Sequence, residues 1–270
     1  MKQGKKPLFV RDISWLEFNE RVMQEAMDET NSLHDRLRFL GIFSNNQDEF
    51  FRVRVAALNR MKRLGKAAKM HLEEQPGKIL KKIAEKVRIQ SRAFDKTYSS
   101  IIKEMATLGI FIKNEKQLSP EQEEFIKTYF SEEVRTHIVP LMIESIPKFP
   151  YLKDDAIYLA CLLGNSQHSL IHRYALIEVP SKDLPRFIKL PSADGTVDFI
   201  LLEDIIRFNL PFIFAPFGFD RFLGYIIKVT RDAEFTLDND ENSNLMQELE
   251  KGIKNRKKGK ATRLVYDKSI

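Results

Sequence analysis

Apolar positions over the first hundred residues recur at helical spacing, and polar punctuation divides them into four segments. Trp15, Phe18, Val22 and Ala26 fall near one face of a helix expected from residue 14 to about 28. "SWLE" at residues 14–17 would open it as a capping box, with the Ser14 hydroxyl accepting from the third helical N–H while Glu17 reaches back. "TNS" breaks the pattern, and Asn31 or Ser32 is placed to cap a second helix carrying Leu33, Leu37, Leu40 and Phe43. A third helix is expected from beside Asn46 to about residue 69. "QPGK" closes that stretch, and a long amphipathic helix follows from about 78 to 108 on Ile79, Ile83, Val87, Phe94, Ile101 and Met105. Four helices with short connections predict an antiparallel bundle or a bent variant of one.

The pattern changes at Gly109. "GIFIK" is short and strand-like, and "SPEQ" at residues 119–122 starts another helix with proline in its first turn and a Ser-to-Gln capping box. That helix should stop by Pro140, because proline lacks the N–H and restricts the residue before it. Beyond it, "AIYLACLL", "RYALIEV", "RFIKL", "DFILL" and "GYIIKV" read as strands punctuated by Pro180, Pro185, Pro191 and Gly195. "EDIIRFNLPFIF" reads as a short helix among them. The expected class is α+β: an all-α amino-terminal bundle over residues 1–108, then an α+β domain over 109–270. The second domain should hold a mixed or antiparallel sheet with helices on one face.

Composition narrows the class without naming a function. With 43% hydrophobic and 30% charged residues, the 270-residue chain reads as globular rather than disordered. No apolar run approaches the length of a membrane span, and "MKQGKKPLFVRD" lacks a signal-peptide core, so a cytoplasmic location is expected. Cys161 is the single cysteine; inside "YLACLL" it reads as a core residue, which excludes a disulfide framework.

The net charge of +6 favours approach of a polyanion and identifies none. Its distribution adds more, since seven of thirteen residues in "KGIKNRKKGKATR" (251–263) are basic and none is acidic. Such a run is a solvated loop or a contact for a phosphate-rich partner. The third helix is basic too, with Arg52, Arg54, Arg60, Lys62, Arg63, Lys66 and Lys69 against Asp48 and Glu49.

Catalytic apparatus is sparse. The chain has no phosphate-binding G-x-x-x-x-G-K-[ST] loop and no G-x-G-x-x-G fingerprint. The histidines at 34, 71, 137, 168 and 172 are dispersed; only His168 and His172 share helical spacing, within sequence that reads as strand. In "TRDAEFTLDND", residues 230–240, a strand gives way to acids that read as dipole partners for a following helix "SNLMQELEKGI", with a magnesium site as the alternative.

The most concentrated polar feature is "FLGIFSNNQDEFFRVRVAALNRM" at residues 39–61. Asn45 or Asn46 could cap the third helix, with Asp48 and Glu49 at its positive end. On a wheel of that helix Arg54 projects between apolar stripes, where it needs a partner: an internal carboxylate or a bound phosphate.

"SWLEFNERVMQEA", "LRFLGIFSNNQDEFFRVRVA", "RYALIEVPSKDLPRF" and "VTRDAEF", in that order, resemble the amino-terminal half of bacterial polyphosphate kinase. The resemblance runs from about residue 11 to 266. It implies an enzyme that makes inorganic polyphosphate from ATP reversibly through a phosphohistidine. It also implies a helical amino-terminal domain, a head domain used in dimerisation, and two carboxy-terminal domains resembling phospholipase D. Those last domains carry the catalytic histidines and the Mg2+ ligands, so no catalytic or metal-binding residue is expected in this chain.

By the same resemblance Asn46, the second asparagine of "SNN", is an ATP-binding residue, its amide matching the donor and acceptor edge of adenine. The implied partners are ATP or ADP, inorganic polyphosphate, the missing carboxy-terminal catalytic domains and a second copy of the chain, as a homodimer or higher homo-oligomer. Nucleic acid is not among them, and the intact enzyme would be cytoplasmic with room for peripheral membrane attachment. The chain ends at Ile270, short of a complete head, so it is expected to be a fragment or truncated product that makes no polyphosphate alone. The alternative function is a noncatalytic nucleotide- or polyanion-binding assembly module. A helical nucleic-acid binder, suggested only by the basic segments, would show a steep loss of affinity with salt.

Overall fold

The computed structural model describes residues 10–64, 74–167, 172–193, 195–233 and 259–268. His168, Lys66, Lys69, the acidic stretch from 234 with its following helix, and most of the 251–263 basic run lie outside the described residues. The chain divides into two compact units. Met1–Glu104 and Thr230–Thr262 form one, whereas Met105–Val229 and Arg263–Ile270 form the other. The sequence pattern breaks at 108/109, yet Thr230–Thr262 groups with the helices rather than with the strands that flank it.

Helix α1 (Arg11–Met27) begins a turn earlier than expected, with Val10 at its N-cap and no side-chain cap. Ser14 and Glu17 are therefore inside the helix, and the expected capping box is not formed. The buried residues are Asp12, Leu16, Asn19, Met23 and Ala26, a stripe stepping by four and three residues. Phe18, expected inside, is 64% exposed. Asp12 and Asn19 take the inner stripe because each finds a polar partner there, which removes the usual cost of burying such groups.

Helix α2 (Leu33–Phe50) starts as expected, with the Ser32 hydroxyl accepting from the Asp35 N–H at 3.2 Å. It does not stop at the asparagines. A single π turn (Phe51–Val55) joins it without a break to α3 (Ala56–Leu64). Neither Asn45 nor Asn46 is a cap, because no glycine or proline follows Gly41 to interrupt the helix before residue 64. In the π turn the Ala56 N–H donates to the Phe51 carbonyl, one residue farther back than in an α-helix.

Helices α1 and α2 run antiparallel: Arg36 Nε donates to the Ala26 carbonyl (3.1 Å), Asn19 Nδ2 to the Phe43 carbonyl (3.1 Å) and Arg54 Nε to Asp12 (2.7 Å). The long α4 (Pro76–Thr107) joins them, its fully buried Gln90 donating to the Leu16 carbonyl at 2.9 Å. Leu16, Phe50, Val55, Leu58, Ile79 and Ile83 form one core cluster of this unit. Trp15 stacks on Phe50 with ring centroids 4.7 Å apart.

The second unit opens with β1 (Ile110–Lys113) and α5 (Pro120–Tyr129). Helix α5 carries the expected Ser119/Gln122 capping box with Pro120 in its first turn. The predicted strands all form: β3 (Ile157–Gly164), β4 (His172–Glu178), β5 (Phe187–Lys189), β6 (Val197–Leu201) and β7 (Arg221–Arg231), with a short β2 (Leu141–Met142) and β8 (Ala261–Tyr266). Helices α6 (Leu202–Phe208) and α7 (Leu210–Phe214) come from "EDIIRFNLPFIF".

Two sheets result. One is mixed, in the order β1-β6-β5 with β1 and β6 parallel; the other has the order β2-β4-β3-β7-β8, with β2–β4, β3–β4 and β3–β7 antiparallel. Alternation along β3 sends Leu159, Cys161 and Leu163 into a core shared with Ile126, Phe130, Ile205 and Phe214 of the helical face. Tyr158 turns to the other face, with Leu152, Ala156, Leu176 and Val229. Burial pushes the Cys161 thiol up to about 12, which fits a core residue rather than a nucleophile.

Candidate nucleotide site on the long helix

Asn46 sits near the middle of the continuous helix, half-buried, and its Nδ2 donates to Asn19 Oδ1 at 3.0 Å. Asn19 is fully buried and is itself fixed by its bond to the Phe43 carbonyl. The Asn46 amide is therefore held by one N–H, while its oxygen and second N–H have no partner among the described residues. A neighbouring acceptor and donor are what an amide needs to meet the edge of adenine.

Arg54 answers to a carboxylate. Its Nε donates to Asp12, whose side chain is 7% exposed, while Arg54 itself is 37% exposed. Asp12 also lies in the first turn of α1, where a negative charge is favoured. Of the two partners the sequence left open for Arg54, the internal carboxylate is present.

The π turn brings Asn46 and Arg54 to one side. Eight residues of regular α-helix would place them about 80° apart around the axis. One residue is absorbed by the wider turn, so eight residues act as seven, and about 20° remains. Both side chains accordingly reach the same stripe of α1, at Asn19 and Asp12, themselves seven residues apart. Asp48, expected at a helix start, is instead buried in mid-helix and accepts from the Thr230 hydroxyl at 3.5 Å.

Sequence reasoning missed Asn19 and Asp12. The available signal was their heptad spacing with Ala26 along α1, which hydropathy hides because both are polar. It also missed Asp232, which pairs with Arg60, and a polar cluster in the second unit. There Arg207 pairs with Asp204, with Glu115 (3.2 Å) and with Asp267 (3.3 Å) in an open cleft of about 800 Å³. Arg207 Nε also donates to the Gly224 carbonyl at 2.9 Å, so the guanidinium ties α6 to β7. Burial pushes the Asp204 carboxyl up to about 7; Arg207 pulls against that rise, and Glu115 and Glu203 add to it.

Among the described residues no group of three or more His, Cys, Asp or Glu side chains is placed to hold a metal ion. No helix of the described residues is long and apolar enough to cross a membrane.

Several known proteins are similar to this chain. The polyphosphate kinase N-terminal domain matches residues 8–113, and the polyphosphate kinase middle domain matches residues 121–270. A polyphosphate kinase of Vibrio parahaemolyticus is 40% identical over 264 residues, covering 96% of this chain and 37% of its own length. That of Escherichia coli (strain K12) is 38% identical over 278 residues, covering 99% of this chain and 39% of its own. The crystal structure of polyphosphate kinase from Porphyromonas gingivalis aligns with a TM-score of 0.78 and 31% identity, over 99% of this chain and 36% of that one. The chain thus spans less than two-fifths of the length of these relatives.

Proposed function

The chain belongs to the polyphosphate kinase family, and on that footing we propose that its helical unit holds the adenine of ATP at Asn46. The intact enzyme would move the terminal phosphate of ATP reversibly onto inorganic polyphosphate, through a phosphohistidine carried by domains beyond these two. The observation that carries the reading is the Asn46 amide: anchored to buried Asn19 through one N–H, it keeps an acceptor and a donor for a ligand. Such anchoring lowers the ordering cost of binding.

Arg54 is the proposed phosphate contact beside it. Its Nε is engaged by Asp12, and the rest of the fork has no partner among the described residues. Arg54 lies about 12 Å along the helix axis from Asn46, a separation suited to the base and phosphates of one nucleotide. The second unit would serve homo-oligomer assembly, to which its exposed Phe187, Phe212 and Phe217 are suited. Mg2+ would accompany ATP, held by ligands outside the described residues, and a cytoplasmic location follows from ATP as donor.

Calorimetric titration of the chain with ATP tests the reading. Asn46→Ala should weaken binding by about tenfold, the worth of a ligand hydrogen bond pair; it also strips buried Asn19 of its donor, an expected stability loss of about 1–3 kcal/mol, so the titration is run where circular dichroism shows both chains folded. Equal affinity in the variant would remove Asn46 from the nucleotide site.

A further inference from the structure

An open groove of about 460 Å³ lies farther along the same helix, within the first unit. Asn59, Lys62 and Arg63 of α3 line one side, and Asp232, Lys260 and Thr262 line the other. Lys62, Arg63 and Lys260 are exposed, and none has a carboxylate partner among the described residues. Arg63 Nε donates to the Asn59 carbonyl at 3.3 Å, which steadies the guanidinium and leaves its outer nitrogens unused.

The acid in the lining does not offset these cations. Asp232 is ion-paired with Arg60, and its backbone N–H donates to the Lys260 carbonyl at 2.9 Å. That pair is internally neutral, so among the described residues the groove presents three positive charges without a carboxylate partner. Three cations on facing walls suit an anion with several charges along its length better than a single carboxylate. A guanidinium fork beside two ammonium groups suits phosphate oxygens in particular.

We propose that this groove is a second anion site, which holds a stretch of phosphate chain apart from the Asn46 contact. The choice of a phosphate chain over other polyanions rests on the function proposed above; the cluster of three cations does not. Lys62 lies sixteen residues beyond Asn46 on the continuous helix, about 24 Å along the axis. One ATP bound at Asn46 does not extend to it. The groove's natural occupant is then a longer phosphate chain, the polymer rather than the nucleotide.

Fluorescence anisotropy of end-labelled linear polyphosphate with the 270-residue chain, at fixed low ionic strength, tests this. Lys62→Gln combined with Lys260→Gln is expected to weaken binding about tenfold, whereas Lys96→Gln with Lys103→Gln on exposed α4 removes equal charge and should cost less than about twofold. All four positions are exposed, and circular dichroism should show both variants folded. No polyphosphate binding by the wild-type chain, or an equal loss in the two pairs, overturns the site. Tighter binding of a single-stranded DNA of matched charge overturns the ligand class.

ATP titration separates the two readings. The groove pair should leave ATP affinity unchanged, and Asn46→Ala should leave polyphosphate affinity unchanged. If Asn46→Ala spares ATP while the groove pair still loses polyphosphate, the nucleotide reading falls and the groove stands.

Discussion

Asn19 accepts the Asn46 amide with its oxygen at 3.0 Å and holds the Phe43 carbonyl with its nitrogen at 3.1 Å, from a position with no solvent exposure. A residue that a hydropathy plot would assign to the surface thus locks the proposed ATP contact to the neighbouring helix. Asn19→Ala removes both bonds and empties a fully buried position, for an expected loss of about 1–3 kcal/mol. Urea unfolding measures that loss. ATP titration should show weaker binding as well, since Asn46 loses its anchor; undiminished affinity would mean the anchor is structural only.

Arg54 and Asp12 form the second tie between these helices, 42 residues apart in sequence. Arg54→Ala strands a buried carboxylate and should destabilise the chain by about 1–3 kcal/mol, the range for a buried hydrogen-bonding group left without its partner. The double variant with Asp12→Asn should recover part of that loss. If ATP affinity is unchanged in a folded Arg54→Ala chain, the phosphate role proposed for Arg54 is wrong.

The Asp204 carboxyl binds its proton more tightly in the folded chain than in the unfolded one, because burial raises it from 3.8 to about 7. Between those values the folded state holds more protons, so this group's contribution to stability is complete below about pH 4 and is lost as pH rises through 7. Asp204→Asn has no such titration. Unfolding free energies measured from pH 5 to 8 should therefore shift in favour of the variant as pH rises, and a constant difference would show that Asp204 titrates normally.

Gly109 turns the chain from α4 into β1 with φ of +74°, and a Cβ there would sit 2.8 Å from the Gly195 carbonyl oxygen. Strain and clash act together, so Gly109→Ala should lower stability by about 1–3 kcal/mol. Thermal unfolding reads this directly. An unchanged melting temperature would show that the turn relaxes without cost.

Local chemistry was legible throughout the chain. Alternation and turn residues marked the strands from "GIFIK" to "GYIIKV", and the Ser32 and Ser119 caps formed where their side chains could reach nearby N–H groups. Those signals act over two to four residues, a range within which sequence neighbours are also spatial neighbours. The "SWLE" box misled for the same reason. It is a sound local cap, but α1 buries Asp12 and therefore begins at Arg11.

By itself, then, the sequence determined the kinds of element, most of their limits and the family, because periodicity, turn chemistry and the "SNN" stretch are local. Only the tertiary structure decided that Asn46 is anchored to α1 and that Asp12 and Asn19 face inward. It also decided that Thr230–Thr262 belongs with the helices. Each of these outcomes depends on a partner brought from far along the chain: Asn19 lies 27 residues from Asn46, and Asp48 lies 182 from Thr230. A polar side chain enters the interior only when such a partner offsets its desolvation, and that balance is set by packing rather than by the residue's own character.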